Sequence, residues 1–206
     1  MTVHVEVEIQ SLQSVRDSAS PLRFEPLGTV RCAGTPLFRT QLARDLGCLL
    51  DVDPDVVSWK CLPVLLRDGA KTHVPDFQVV RGNGTCFLDA VDPATPQCGD
   101  WIDEVATRVG NRRETALDAE IRSGARLVNA RDLLRYARWR CPLGDRIRLL
   151  AALDENSSMT VAECLPAFRE TPPIAGLSSL ILHRFVEIDL DETRIGPETQ
   201  VRRSHG

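Results

Sequence analysis

The segment from Asp76 to Val91 constrains the fold of this chain more than any other. Asp76-Phe77-Gln78-Val79-Val80 and Cys86-Phe87-Leu88-Asp89-Ala90-Val91 are two apolar runs. Between them lies Arg81-Gly82-Asn83-Gly84. Asn-Gly between such runs is a strong hairpin signal, because both residues tolerate the positive φ of tight turns. The spacing predicts two antiparallel strands with Asp76 and Asp89 at one end. Two carboxylates so placed repel each other unless a cation sits between them. Hard divalent cations take oxygen ligands of this kind, polarise phosphate and generate a nucleophile from water. The plainer alternative is a strand that starts after Pro75 and a second strand with a polar end residue. A short motif by itself leaves both open.

The 206 residues suffice for one large domain or two small ones. No apolar run approaches the ~20 residues that span a bilayer. Met1 to Gln10 lacks the basic and apolar regions of a secretory signal. The expectation is a cytoplasmic protein with no membrane contact. Seven cysteines are scattered without a C-x-x-C pair, which reads as reduced, largely core thiols. The net charge of −4 argues against a bulk polyanion binder but leaves room for a local basic patch. One stretch qualifies: between Arg122 and Leu150, eight arginines face only Asp132 and Asp145. They are Arg122, Arg126, Arg131, Arg135, Arg138, Arg140, Arg146 and Arg148. They either solvate helix faces or meet phosphates.

Periodicity gives the remaining order. Met1 to Ile9 alternates as a strand, with Val3, Val5 and Val7 on one face. Ser11 to Pro36 is turn-rich. Phe38 to Asp51 is a helix, with Phe38, Leu42, Leu46, Leu49 and Leu50 at helical spacing and Pro54 as its stop. Val56 to Leu66 reads as a strand interrupted by Pro63, and Asp68-Gly69 as a turn. Asp92 to Gly99 is a loop, Asp100 to Arg113 a helix, Ala125 to Val128 an extended piece and Ala130 to Arg140 a helix. After Cys141-Pro142-Leu143-Gly144 come a helix (Asp145 to Leu153) and a second helix (Val161 to Phe168). Thr160 caps that second helix, with Glu163 in the capping-box position. A third helix (Ile174 to His183), a strand (Phe185 to Leu190) and a closing strand at Gln200 to Arg203 follow.

The His73-Val74-Pro75-Asp76-Phe77 step and the Phe87-Leu88-Asp89 strand follow the carboxylate order of the PD-(D/E)xK nuclease core. With the leading helix, Leu49 to Val56, the Arg126 to Arg131 segment and the apolar helix Ile147 to Leu153, the chain resembles the TnsA-type transposon endonucleases. The resemblance covers roughly residues 36 to 200. It implies an α/β restriction-endonuclease-like core, a mixed sheet flanked by helices, followed by a small winged-helix-like α+β domain. The implied divisions are an N-terminal strand and irregular segment (1–36), a nuclease-like domain (37–140) and a winged-helix-like domain (141–203). In that family the first domain cuts DNA with Mg²⁺ and the second contacts other transposition proteins.

Carried over residue by residue, the metal acids fall on Asp76 and Asp89. The family's helix Glu falls on Ala43, its strand Gln on Leu62 and its Lys on Val91. Acid–base and positioning groups are worth ~10²–10⁴-fold in rate each. The expectation is therefore a protein that keeps the fold, needs no cofactor and acts as an accessory or regulatory factor. Its partners would be DNA, held weakly and non-specifically, and a protein at the C-terminal domain. The residues expected at DNA are Arg122, Arg126, Arg131, Arg135, Arg138, Arg140, Arg202 and Arg203. Two alternatives stand beside it. One is an active Mg²⁺-dependent endonuclease using Asp76 and Asp89, with Lys71, Lys60 or Arg108 as a displaced cation. The other is a protein scaffold that does not bind DNA. The third helix offers only Ser178, Ser179 and His183 to a base edge, which argues against sequence readout.

Overall fold

Helix signals near residue 40 set the first half of the structure, a computed structural model that describes residues 2–94 and 99–204, with side chains from residue 11 onward. Thr40 caps α2 (Gln41–Val52) by accepting a hydrogen bond from the Ala43 N–H at 3.0 Å. Leu42, Leu46 and Leu50 turn one face of α2 inward. The sheet beneath contains β1 (Val56–Cys61), β4 (Phe77–Arg81), β5 (Gly84–Val91) and β6 (Arg112–Leu117), in the order β1-β4-β5-β6. The first two pairings are antiparallel and the last is parallel, so the sheet is mixed. Phe77, Val79, Cys86 and Leu88 pack with Trp59, Phe38 and the α2 leucines. On the other face Phe87 packs against Ile102, Val105 and Ala106 of α3 (Trp101–Arg108). A short hairpin, β2 (Leu66–Asp68) and β3 (Lys71–His73), is inserted before β4. Its turn uses Gly69 at φ +57.

Several expectations are corrected. The N-terminus is a helix, α1 (Thr2–Ala19), and not a strand. Leu12, Val15 and Ala19, at helical spacing, pack on the first core. The strand expected to reach Leu66 stops at Cys61. Leu62 there takes φ +45, and its N–H donates to the Asp76 carbonyl at 3.0 Å. The helix expected to run to Arg113 ends at Arg108, Gly110 follows at φ +75, and Arg112 already belongs to β6. β6 is partly exposed and lacks an apolar alternation, so period counting misses it. Of the Asp92–Gly99 loop, residues 95–98, including Cys98, lie outside the described residues.

The chain divides into two compact units, Met1–Glu25 with Arg31–Arg122, and Pro26–Val30 with Ser123–Gly206. The expected divisions at residues 36 and 140 fall inside these units. A short helix α4 (Asp118–Ile121) closes the first. The second begins with α5 (Arg126–Leu134), a helix where the extended piece was expected. Leu127, Ala130, Leu133 and Leu134 are buried at helical spacing, which moves the helix start back to Arg126 and ends it six residues before Arg140. Then follow α6 (Leu143–Asn156), β7 (Ser158–Thr160), α7 (Val161–Cys164) with a 3-10 turn to Ala167, α8 (Pro173–Leu182), β8 (Val186–Ile188) and β9 (Gln200–Arg203). The three strands form an antiparallel sheet in the order β7-β9-β8. Their core joins Leu149, Leu153, Val161, Phe168, Leu177, Leu180, Val186 and Val201. A Cβ on Gly176 would stand 2.4 Å from the Phe168 ring, so α8 lies tight on this core. No helix among the described residues is long and apolar enough to cross a membrane.

Candidate functional site: a neutralised carboxylate pair

The β4–β5 register opposes Phe77 with Leu88, and one residue outward it opposes Asp76 with Asp89. Asp89 lies on the α3 side of the sheet, the face that Phe87 shares. The two are tied by reciprocal hydrogen bonds. The Asp76 N–H donates to Asp89 Oδ1 at 3.0 Å, and the Ala90 N–H donates to Asp76 Oδ2 at 3.1 Å. Both carboxylates are buried. A buried charge is costly unless paired, and each acid here has its own cation.

Arg39, just ahead of α2, brings its guanidinium fork to Asp76 Oδ1, with Nη2 at 2.6 Å and Nε at 3.1 Å. The same Nη2 also donates to the Val74 carbonyl at 2.8 Å, which fixes the approach. At Asp89 Oδ2, His73 Nε2 lies at 2.9 Å and Arg113 Nε at 3.1 Å. His73 comes from the inserted hairpin and Arg113 from β6. Arg113 also faces the more exposed Asp103 of α3 at 3.7 Å. All four carboxylate oxygens of the pair therefore accept from N–H groups of the protein.

The two acids differ electrostatically. Burial pushes the Asp76 carboxyl above its ordinary range, a rise that Arg39 opposes. Burial acts the same way on Asp89, but His73, the Asp76 N–H and Arg113 together outweigh it and hold the carboxyl below its ordinary range.

The positions where the resemblance expects polar groups carry apolar side chains. Ala43 and Leu62 are buried at 1% exposure each, and Val91 closes β5 opposite Leu117. Lys60 and Lys71 are exposed on β1 and β3, and Arg108 is exposed at the end of α3. The groups on the acid pair are instead the Arg39 and Arg113 guanidiniums and the His73 imidazole. Sequence reasoning missed all three. The signal for His73 was its place three residues before Asp76. Arg39 and Arg113 carried no local signal. Divalent ions such as Mg²⁺ favour a cluster of oxygen ligands with surplus negative charge. Two carboxylates matched by two guanidinium groups and an imidazole do not fit one. Among the described residues no three His, Cys, Asp or Glu side chains are grouped to hold a metal ion.

The arginines expected at DNA separate into two sets. Arg122 pairs with Asp118 at 2.6 Å and approaches Asp45 at 3.5 Å. Arg126 pairs with Asp191 at 2.9 Å, Arg135 with Asp132 at 3.5 Å, and Arg203 with Asp154. Arg148 is held by Asp145 and Glu170. Arg131 is half-buried on α5. Among the described residues, Arg138, Arg140, Arg146 and Arg202 have no carboxylate at ion-pair distance. Ser178 and Ser179 of α8 are buried, and Ser179 Oγ donates to the Trp139 carbonyl at 3.1 Å, so α8 has little to offer a groove.

No known protein-family model matches this chain, and no curated protein matches it.

Proposed function

We propose that this chain is a TnsA-like protein of nuclease fold with a silent carboxylate site, acting as a DNA-associated accessory factor through backbone and protein contacts. The observation that carries this is the enclosure of Asp76 and Asp89 by the Arg39 and Arg113 guanidiniums and the His73 imidazole. A working metal site leaves its carboxylates directed at the ion. Here a metal must displace two guanidinium groups and an imidazole from a buried pair, and Ala43 and Val91 stand where the resemblance expects a further acid and a Lys. The site serves as a rivet that joins β3, β4, β5, β6 and the entry to α2.

The mixed sheet between α2 and α3, with the acids on adjacent antiparallel strands, supports the nuclease-fold reading. The helix–strand–helix–helix–strand–strand order of residues 143–203 supports a winged-helix reading of that segment. Arg138, Arg140, Arg146 and Arg202, which lack acid partners, supply the charge for phosphate contact.

The test is cleavage of duplex DNA in Mg²⁺ or Mn²⁺, together with binding at varied salt. The expected result is salt-dependent binding without cleavage, the slope of log K against log salt falling by ~0.9 for each phosphate contact removed. Metal-dependent cleavage that Asp76→Ala abolishes would restore the active endonuclease. Absence of binding at low salt would leave a protein scaffold.

A further inference from the structure

The second unit contains a cavity of about 300 Å³ lined by Arg140, Cys141, Arg146, Ser179, Leu180, His183 and Phe185. Its polar lining is cationic or neutral, with no carboxylate among those residues. In a chain of net charge −4 this is a local inversion.

Both guanidinium groups are held by something other than an acid. Arg140 Nη1 donates to the Ala137 and Trp139 carbonyls, each at 3.0 Å, so one end of its fork is anchored. The Nε–Nη2 edge makes no hydrogen bond among the described residues. The Arg146 guanidinium carbon stands 4.6 Å from the centre of the Phe185 ring. Stacking on an aromatic face fixes the plane of a guanidinium while leaving its in-plane N–H donors available. No hydrogen bond or ion pair among the described residues uses the Arg146 side chain.

The wall is pinned as well. Ser179 Oγ accepts from the Cys141 N–H at 3.2 Å and donates to the Trp139 carbonyl at 3.1 Å, tying the 139–141 segment to α8. The acids felt at Cys141, Asp145 and Glu170, are both engaged by Arg148 and do not neutralise the pocket. Two oriented guanidinium groups with open donor edges, an imidazole beside them and no acid form a fork-and-fork receptor for a tetrahedral oxyanion.

We propose that this cavity binds a phosphate group, with Arg140 and Arg146 as its ligands and His183 beside them. The source is a nucleic-acid backbone or free phosphate. Only the first source rests on the DNA-associated reading above.

The probe is inorganic phosphate added to the ¹⁵N-labelled full chain at constant ionic strength, following the Arg140 and Arg146 Nε–H signals and the His183 and Phe185 amides. Saturable shifts at these positions are expected. Arg140→Ala and Arg146→Ala should each weaken phosphate binding about tenfold, the size of one charge-assisted hydrogen bond. Arg169→Ala, which removes an exposed charge elsewhere in the same unit, should bind like the parent. Arg146→Lys keeps the charge but loses the planar fork, and should fall between parent and Arg146→Ala without disturbing the fold. Duplex DNA that shifts the same signals and competes with phosphate identifies the backbone as the source. A parent that binds phosphate saturably but no DNA overturns the DNA-associated reading and leaves free phosphate as the ligand. Unsaturable shifts, or equal phosphate affinity in the parent and both alanine variants, overturn the pocket itself.

Discussion

Asp145 in the second unit and the Asp76–Asp89 pair in the first are all buried carboxylates, but they are neutralised from different sources. Asp145 accepts from three consecutive backbone N–H groups, those of Arg169, Glu170 and Thr171, at 2.8–3.2 Å. Arg148, one turn along the same helix, completes its shell. Most of those donors belong to one loop that ends the turn after α7, and that loop needs an acceptor wherever it is folded. The Asp76–Asp89 pair draws on long nitrogen-bearing side chains from the α2 entry, β3 and β6. A backbone-capped acid holds a loop in place. An acid pair enclosed by long side chains joins the separate elements that supply them. The second arrangement is open to substitution, because each cation can be removed without moving the backbone.

The largest effect should come from Asp145→Ala, which leaves three N–H groups without an acceptor. Unsatisfied buried donors cost ~1–3 kcal/mol each. A loss of about 3–5 kcal/mol is expected from denaturant unfolding of the variant, and a loss under about 1 kcal/mol would erase the contrast between the two sites. Asp89→Ala should cost about 2–4 kcal/mol, because it strands Arg113 and His73 and frees the Asp76 N–H. Asp76→Asn should cost less than Asp89→Asn, since burial already disfavours the Asp76 charge. The reverse order, measured by the same unfolding curves, would mean that Arg39 dominates the site.

Acid sensitivity sharpens the comparison. Asp145 and Asp89 both sit below their ordinary range, held there against burial by hydrogen bonds and cations. Each favours folding at pH values above the unfolded carboxylate value of ~4, and that contribution is lost as pH falls through the lower folded value. Asp76 has the opposite sign. Its raised pKa favours the folded state at low pH, an effect lost as pH rises through the folded value. Asp145→Asn should therefore flatten the fall in stability below about pH 4, and Asp76→Asn should steepen the decline in acid. Unfolding free energies over a pH series read both slopes. The smallest effect should be that of Mg²⁺. A ligand that binds only the folded state raises stability by mass action, and no rise in thermal midpoint is expected here. A rise that Asp76→Ala removes would show the pair open to metal.

The hairpin was legible in the sequence because its signals are local: a Pro before the first strand, Asn-Gly in the turn, two acids at matching ends. The α2 helix, with Thr40 as its cap, and the Thr160–Glu163 box were legible for the same reason. The N-terminal alternation misled. Val3, Val5 and Val7 fit a strand by period, yet the segment is helical, and Leu12, Val15 and Ala19 supply the packed face. β6 was invisible because Arg112-Arg113-Glu114 has no apolar face of its own. It is a strand because β5 offers it a parallel edge.

What the sequence determined by itself was the placing of Asp76 and Asp89 at one end of two paired strands. Periodicity and turn chemistry act over a few residues, so one chain read in order contains them. Only the tertiary structure decided which cations close the pair. Arg39 lies 37 residues from Asp76, and Arg113 lies 24 from Asp89. Nothing local selects them over Lys60 or Lys71. Burial makes an unpaired carboxylate costly, and the folded sheet brings these particular guanidinium groups within reach to remove that cost.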